Sequence, residues 1–213
     1  MPLSTVLGAQ SLIKPGVCTT ATRPASPYTG QLIYDTTLSQ TLADNGSAWV
    51  NVGATAGGLV LISATTIGTT VSSVTVSSAF SATYDNYKIM ISGGAGSTVA
   101  DMRMQLGATT TGYEYQLGTF GTSGVFGDGS TSASGMMVGD CSTDMIYTVT
   151  EIVNPFLSKF TFAFSTAYDN TNNRTQQIGA ITPNTTSYTA FTLFPTSGTL
   201  TGGTIRVYGY QNS

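Results

Sequence analysis

The chain has 213 residues, 40% of them hydrophobic, a net charge of −3 and no histidine. That content supports a buried core, in one large all-β domain or in a small module plus a domain of about 150 residues. It excludes a disordered low-complexity chain despite 25 glycines. Only 8% of residues are charged, against roughly 25% in ordinary soluble domains. Charge keeps copies of a free monomer apart, so a chain that omits it is expected to sit in a permanent assembly.

Residues 1 to 22 show no clear period. Leu3, Val6, Leu7, Leu12 and Ile13 give the start a mild apolar character. A basic start followed by a continuous apolar run is missing, so no signal peptide is expected; the segment reads as one that packs on something. Pro24 and Pro27 break any helix, and QLIYDT at 31–36 reads as a strand. Asn45-Gly46 is a hairpin signal because both residue types accept positive φ, with Trp49, Val50 and Val52 on the returning strand. GATAGG at 53–58 resembles a linker. The expected organisation is a small N-terminal β-hairpin module over 1–55, followed by a β-sandwich domain over 59–213.

From Leu59 short runs recur every 8 to 14 residues, separated by Gly, Asn, Asp and Ser clusters, as in sandwiches and barrels. In KFTFAFS, Phe160, Phe162 and Phe164 share one face while Thr161, Ala163 and Ser165 share the other. YKIMIS and TIRVYGY alternate in the same way. LVLISATTI, SVTVSS, DMRMQLG, GYEYQL, SGMMVG, MIYTVTEIV, TQQIGAI and YTAFTLF are further strands. GDGST at 127–131 reads as a turn, and Gly93-Gly94-Ala95-Gly96 as a flexible loop. No run has a helical period. The fold class is all-β, an antiparallel jelly-roll-like β-sandwich of 9 to 11 strands.

Little here looks catalytic. Without histidine there is no Ser-His-Asp or Cys-His arrangement and little scope for zinc. No cofactor or metal site is expected. The carboxylates offer a glycosidase pair at Asp140 and Asp144, or at Asp101 and Glu114 if these lie on adjacent strands; isolated acids more often cap turns. Seven scattered basic residues give no footprint for nucleic acid. No apolar run reaches the ~20 residues that span a bilayer. Cys18 and Cys141 read as free, buried thiols, with a disulfide left open. Among the many aromatics, Tyr113, Tyr115 and Phe120 are the candidates for exposure and for contact with sugar rings. Core packing and subunit contact are the alternative roles.

RPASPYTGQLIYDTTLSQTLADNGSAWVNV (23–52) resembles the N-terminal hairpin module of tailed-bacteriophage virion structural proteins: Arg-Pro, a Gly, Tyr-Asp-Thr, a spacer and Asn-Gly-x-x-Trp. SSAFSATYDNYKIMISG, LGATTTGYEY and FTLFPTSGTLTGGTIRVYGYQNS are similar to β-rich parts of phage appendage proteins. The resemblance implies a non-enzymatic virion component on the particle surface, commonly a homotrimer, partnered by coat, tail or adaptor proteins. Its N-terminal part would anchor it, through Leu3, Val6, Leu7, Leu12, Ile13 and Trp49. Its sandwich would form a short fibre or knob that contacts host surface glycans. A capsid decoration (cement) protein and a glycan depolymerase are the rival readings.

Overall fold

The computed structural model describes residues 15–52 and 58–212. Leu3, Val6, Leu7, Leu12 and Ile13, and the linker residues 53–57, lie outside the described residues. The chain divides into two compact units, Met1–Gly57 and Gly58–Ser213.

The first unit is more than a hairpin. Its four strands are β1 (Gly16–Cys18), β2 (Leu32–Asp35), β3 (Gln40–Asp44) and β4 (Trp49–Asn51), ordered β1-β2-β3-β4 in one sheet. β1 runs parallel to β2, and the other pairs are antiparallel. Among its described residues Ile33 and Leu42 are the buried apolar side chains, and they stand opposite each other in the β2–β3 register. The turn sits at Asn45-Gly46 as expected, with a different mechanism. Gly46 alone takes positive φ, at 94°. Asn45 instead accepts hydrogen bonds at Oδ1 from the Ser47 and Ala48 N–H groups (3.0 and 2.8 Å). The result is an Asx-type turn held by a side chain.

The second unit is an antiparallel β-sandwich. In chain order its strands are β5 (Leu59–Thr66), β6 (Val74–Val76), β7 (Asn86–Ser92), β8 (Ala95–Gly96), β9 (Ala100–Leu106), β10 (Tyr113–Gly121) and β11 (Gly124–Ala133). There follow β12 (Met136–Cys141), β13 (Tyr147–Val153), β14 (Thr161–Asp169), β15 (Arg174–Thr182), β16 (Phe191–Pro195), β17 (Leu200–Thr201) and β18 (Thr204–Tyr210). An eight-stranded sheet, β11-β10-β15-β14-β13-β7-β18-β5, faces a four-stranded one, β12-β9-β16-β6; β17 and β8 pair separately. The core between the sheets holds Tyr87, Ile89, Ile91, Met102, Met104, Leu106, Met136, Ile152, Phe191, Ile205 and Val207.

Several local expectations change. GDGST is not a turn but the middle of β11, an exposed edge strand that extends the β10 hairpin. The Gly93–Gly96 segment is not a loose loop. Gly94 and Gly203 take positive φ, and a Cβ on Gly94 would lie 2.1 Å from the Gly202 carbonyl oxygen. Two glycine turns therefore cross in contact, and only glycine fits there. Both cysteines are free; Cys141 is buried, whereas Cys18 is only half-buried.

The KFTFAFS alternation is present, with the phenylalanines outside. Thr161, Ala163, Ser165 and Ala167 are buried on β14, while Phe160, Phe162 and Phe164 are exposed. The cause lies across the sandwich. Gly139 on β12 approaches so closely that a Cβ there would sit 2.4 Å from the Ala167 Cβ and 2.9 Å from Thr148 Oγ1. At that end of β14 the spacing admits the Ala167 methyl and leaves no room for an aromatic ring.

Candidate functional site

In the first unit the Arg…Tyr-Asp-Thr residues form a clamp around Asp35. This fully buried carboxylate receives Arg23 Nε (2.7 Å) and Thr20 Oγ1 (3.0 Å) on Oδ2. The Thr37 and Leu38 N–H groups donate to Oδ1 (2.9 and 3.2 Å). Burial pushes the carboxyl pKa up, but the bonds from Arg23, Leu38, Thr20 and Thr37 outweigh it and hold it below the ordinary value. Thr36 N–H and Oγ1 both donate to the Cys18 carbonyl, at 2.8 and 3.1 Å. The motif thus ties the chain before β2 to the start of the β2–β3 turn. Trp49 is half-buried opposite Asp44.

Two of the three proposed sugar-contacting aromatics belong to the core. Tyr113 is fully buried; its hydroxyl accepts from the Leu106 N–H (2.7 Å) and donates to the Thr109 carbonyl (2.8 Å). Burial pushes its pKa up to about 12. Tyr115 is 7% exposed, and the Arg103 guanidinium lies 5.6 Å from its ring centroid. Neither can serve as an exposed platform. Phe120, 43% exposed, is the only one of the three on the surface.

Phe120 belongs to a groove on the outer face of β10, β15 and β14, of about 970 Å³. Gly118 and Gly179 face outward at its floor: Gly118 pairs with Gln177 and Gly127, and Gly179 with Gln116 and Phe164. The bordering rings lean over these glycines. A Cβ on Gly118 would meet the Phe120 ring at 3.4 Å, and one on Gly179 the Phe162 ring at 3.9 Å. Phe162 and Phe164, 44% and 47% exposed, form a ridge along β14. Gln116, Gln177, Ser130 and Thr131 supply amides and hydroxyls, and Glu114 is the only charged residue lining the groove.

Beyond the ridge the same face mixes an ion pair with exposed apolar side chains, among them Tyr147, Val153 and Leu61. Glu151 stands next to Phe164 and Lys88 in register. It accepts the Tyr210 hydroxyl proton at 2.7 Å and lies 3.9 Å from Lys88 Nζ. The outer face therefore has an aromatic half and a mixed half.

The carboxylate pairs fare differently from expectation. Asp101 and Glu114 are not neighbours, because β9 and β10 belong to different sheets. Asp140 instead pairs in register with Asp101. Asp140 is 6% exposed and accepts Gln176 Nε2 at 2.8 Å; Arg174 lies 3.8 Å away and binds the buried Asp169 at 2.8 Å. Burial, with Asp101 and Asp169 nearby, pushes Asp140 up to about 6. Asp169 is raised by burial too, but the bonds from Arg174 and Asn172 bring it below the ordinary value. A raised and a lowered carboxyl side by side is the pattern of an acid–base pair. Here both are buried, Asp140 at 6% and Asp169 at 0% exposed, and neither lines the groove of β10, β15 and β14. Asp144, in the next turn, accepts Asn170 Nδ2 at 3.2 Å.

No sequence pattern marks the groove residues Gln177, Gly118 and Gly179. The Phe-x-Phe-x-Phe spacing was visible, but nothing in it says which face is wet. No protein-family model, curated protein or solved structure matches the chain.

Proposed function

We propose that the protein is a non-enzymatic structural component of a tailed-bacteriophage particle. In this reading it is a trimeric surface appendage, a short fibre or knob, attached through its N-terminal module. One observation carries the assembly part: a half-face of exposed phenylalanines on a chain with 8% charged residues. Contiguous apolar surface of this kind marks interaction sites. The phage part is supported by the resemblance of residues 23–52, whose Arg23 and Asp35 form the central ion pair of the clamp and whose Thr36 ties to the Cys18 carbonyl.

Host surface glycans remain a proposed ligand, resting on Phe120 without Tyr113 and Tyr115. The uncharged face suits equally a decoration protein that clamps coat subunits. Imaging particles with the protein labelled separates the two: a few copies at the tail support the appendage, many over the head make it a cement protein. Absence from the particle overturns both. Incubation with host polysaccharide is expected to release no reducing ends, and turnover would overturn the non-enzymatic reading.

A further inference from the structure

We propose that the aromatic half of the outer face is where copies of this chain pack on one another, the Phe162–Phe164 ridge of one seating in the glycine-floored groove of the next. The inference deepens the assembly reading above and rests on it. Ridge and groove lie side by side on one face, since Phe164 on β14 pairs with Gly179 on β15 and Gly179 with Gln116 on β10. A projection beside a matching depression is self-complementary, and a ridge-on-groove contact of this kind closes into a ring where the rotation between copies divides a full turn.

Size agrees. Phe120, Phe160, Phe162 and Phe164 are each between 43% and 53% exposed, and Val125, beside Phe120 on β11, is 69% exposed. At about 200 Å² per aromatic side chain the four rings present roughly 400 Å², the size of the largest patch a monomer leaves bare. The groove floor and the exposed β11 supply the rest of the roughly 800 Å² per partner of a standard interface.

Charge selects the occupant. Glu114 alone among the groove residues is charged, so an oppositely charged partner finds little to complement. A second copy brings an equally uncharged face. The Lys88–Glu151 pair, bonded by Tyr210, borders the aromatic half and would lie at the rim of such an interface.

The test is the molar mass of the full chain by light scattering across a dilution series. Two variants are compared with the wild type: Phe162→Thr/Phe164→Thr, which removes the ridge, and Gly179→Thr, which fills the groove. Gly179 is extended and its added Cβ makes only an ordinary 3.9 Å contact, so this variant is expected to keep its circular dichroism spectrum. The wild type is expected as a discrete oligomer, and each variant to dissociate at concentrations at least 100-fold higher than the wild type does. An oligomer untouched by both variants overturns this surface and leaves the assembly reading standing. A monomeric wild type overturns both. A monomer that binds host polysaccharide, and loses binding on Gly179→Thr, assigns the groove to sugar and overturns the proposal.

Discussion

Replacing Gly139 with alanine probes the contact that turns the phenylalanines outward. The new methyl would sit 2.4 Å from the Ala167 Cβ and 2.9 Å from Thr148 Oγ1, where carbon atoms prefer about 3.5–4.0 Å. Overlap above an ångström forces the sheets apart, an overpacking cost of about 1–3 kcal/mol. Gly139 also has φ 144°, a region where a side chain adds of order 1–3 kcal/mol of strain. The expected loss is about 2–6 kcal/mol. Urea unfolding followed by far-ultraviolet circular dichroism, at one fixed protein concentration, measures it. A double-mutant cycle with Ala167→Gly isolates the contact, with an expected coupling of about 1–3 kcal/mol. Should Gly139→Ala fail to fold, Ala167→Val crowds the same place from the other sheet by about 1–3 kcal/mol. A loss below ~1 kcal/mol, or zero coupling, would refute the claim that sheet spacing dictates which face of β14 is aromatic.

Other outcomes follow from the polar groups. Asp140 titrates near 6 in the folded protein, above its unfolded value, so its contribution to stability is complete below the ordinary carboxylate range and lost as pH rises through 6. Two pKa units correspond to of order 3 kcal/mol; Asp140→Asn is expected to flatten the dependence of the urea midpoint on pH between 4 and 7. Asp169 and Asp35 are lowered and act oppositely, their contributions present above the ordinary carboxylate range and lost as pH falls. Tyr113→Phe strands the Leu106 N–H and the Thr109 carbonyl and is expected to cost about 1–3 kcal/mol in chemical denaturation. Asp35→Ala deprives Arg23 and Thr20 of their acceptor. Trp49 is the only tryptophan in the chain, so its emission should shift to the red at lower urea in that variant; an unmoved transition would remove the clamp from the account of the first unit.

How far the sequence could be read depends on whether a feature is local. The alternation in β7, β14 and β18 and the turn at Asn45-Gly46 are local, and the strands and turn are where they were expected. Which face of β14 is buried is not local: it depends on Gly139, in another strand and sheet. GDGST carries turn composition but forms a strand, because pairing with β10 overrides propensity at an edge. The Tyr113 and Tyr115 placement was legible in part. Tyr-Glu-Tyr-Gln alternates, so a strand there puts both tyrosines on the inner face together. The Gly94–Gly203 crossing needs two segments a hundred residues apart, and no local pattern announces it.

β11 has one further consequence. It is a ten-residue edge strand, exposed along nearly its whole length, with Asp128 its only charge and no lysine or proline. Such edges invite indiscriminate pairing with other chains. Gly124, Gly127 and Gly129 counter this differently: glycine gives up more conformational freedom than any other residue when it joins a sheet. The strand is thus a costly template for a stranger, yet an affordable one where neighbouring side chains already hold it in place. Conformational entropy here guards against misassembly in a protein that has almost no charge to do so.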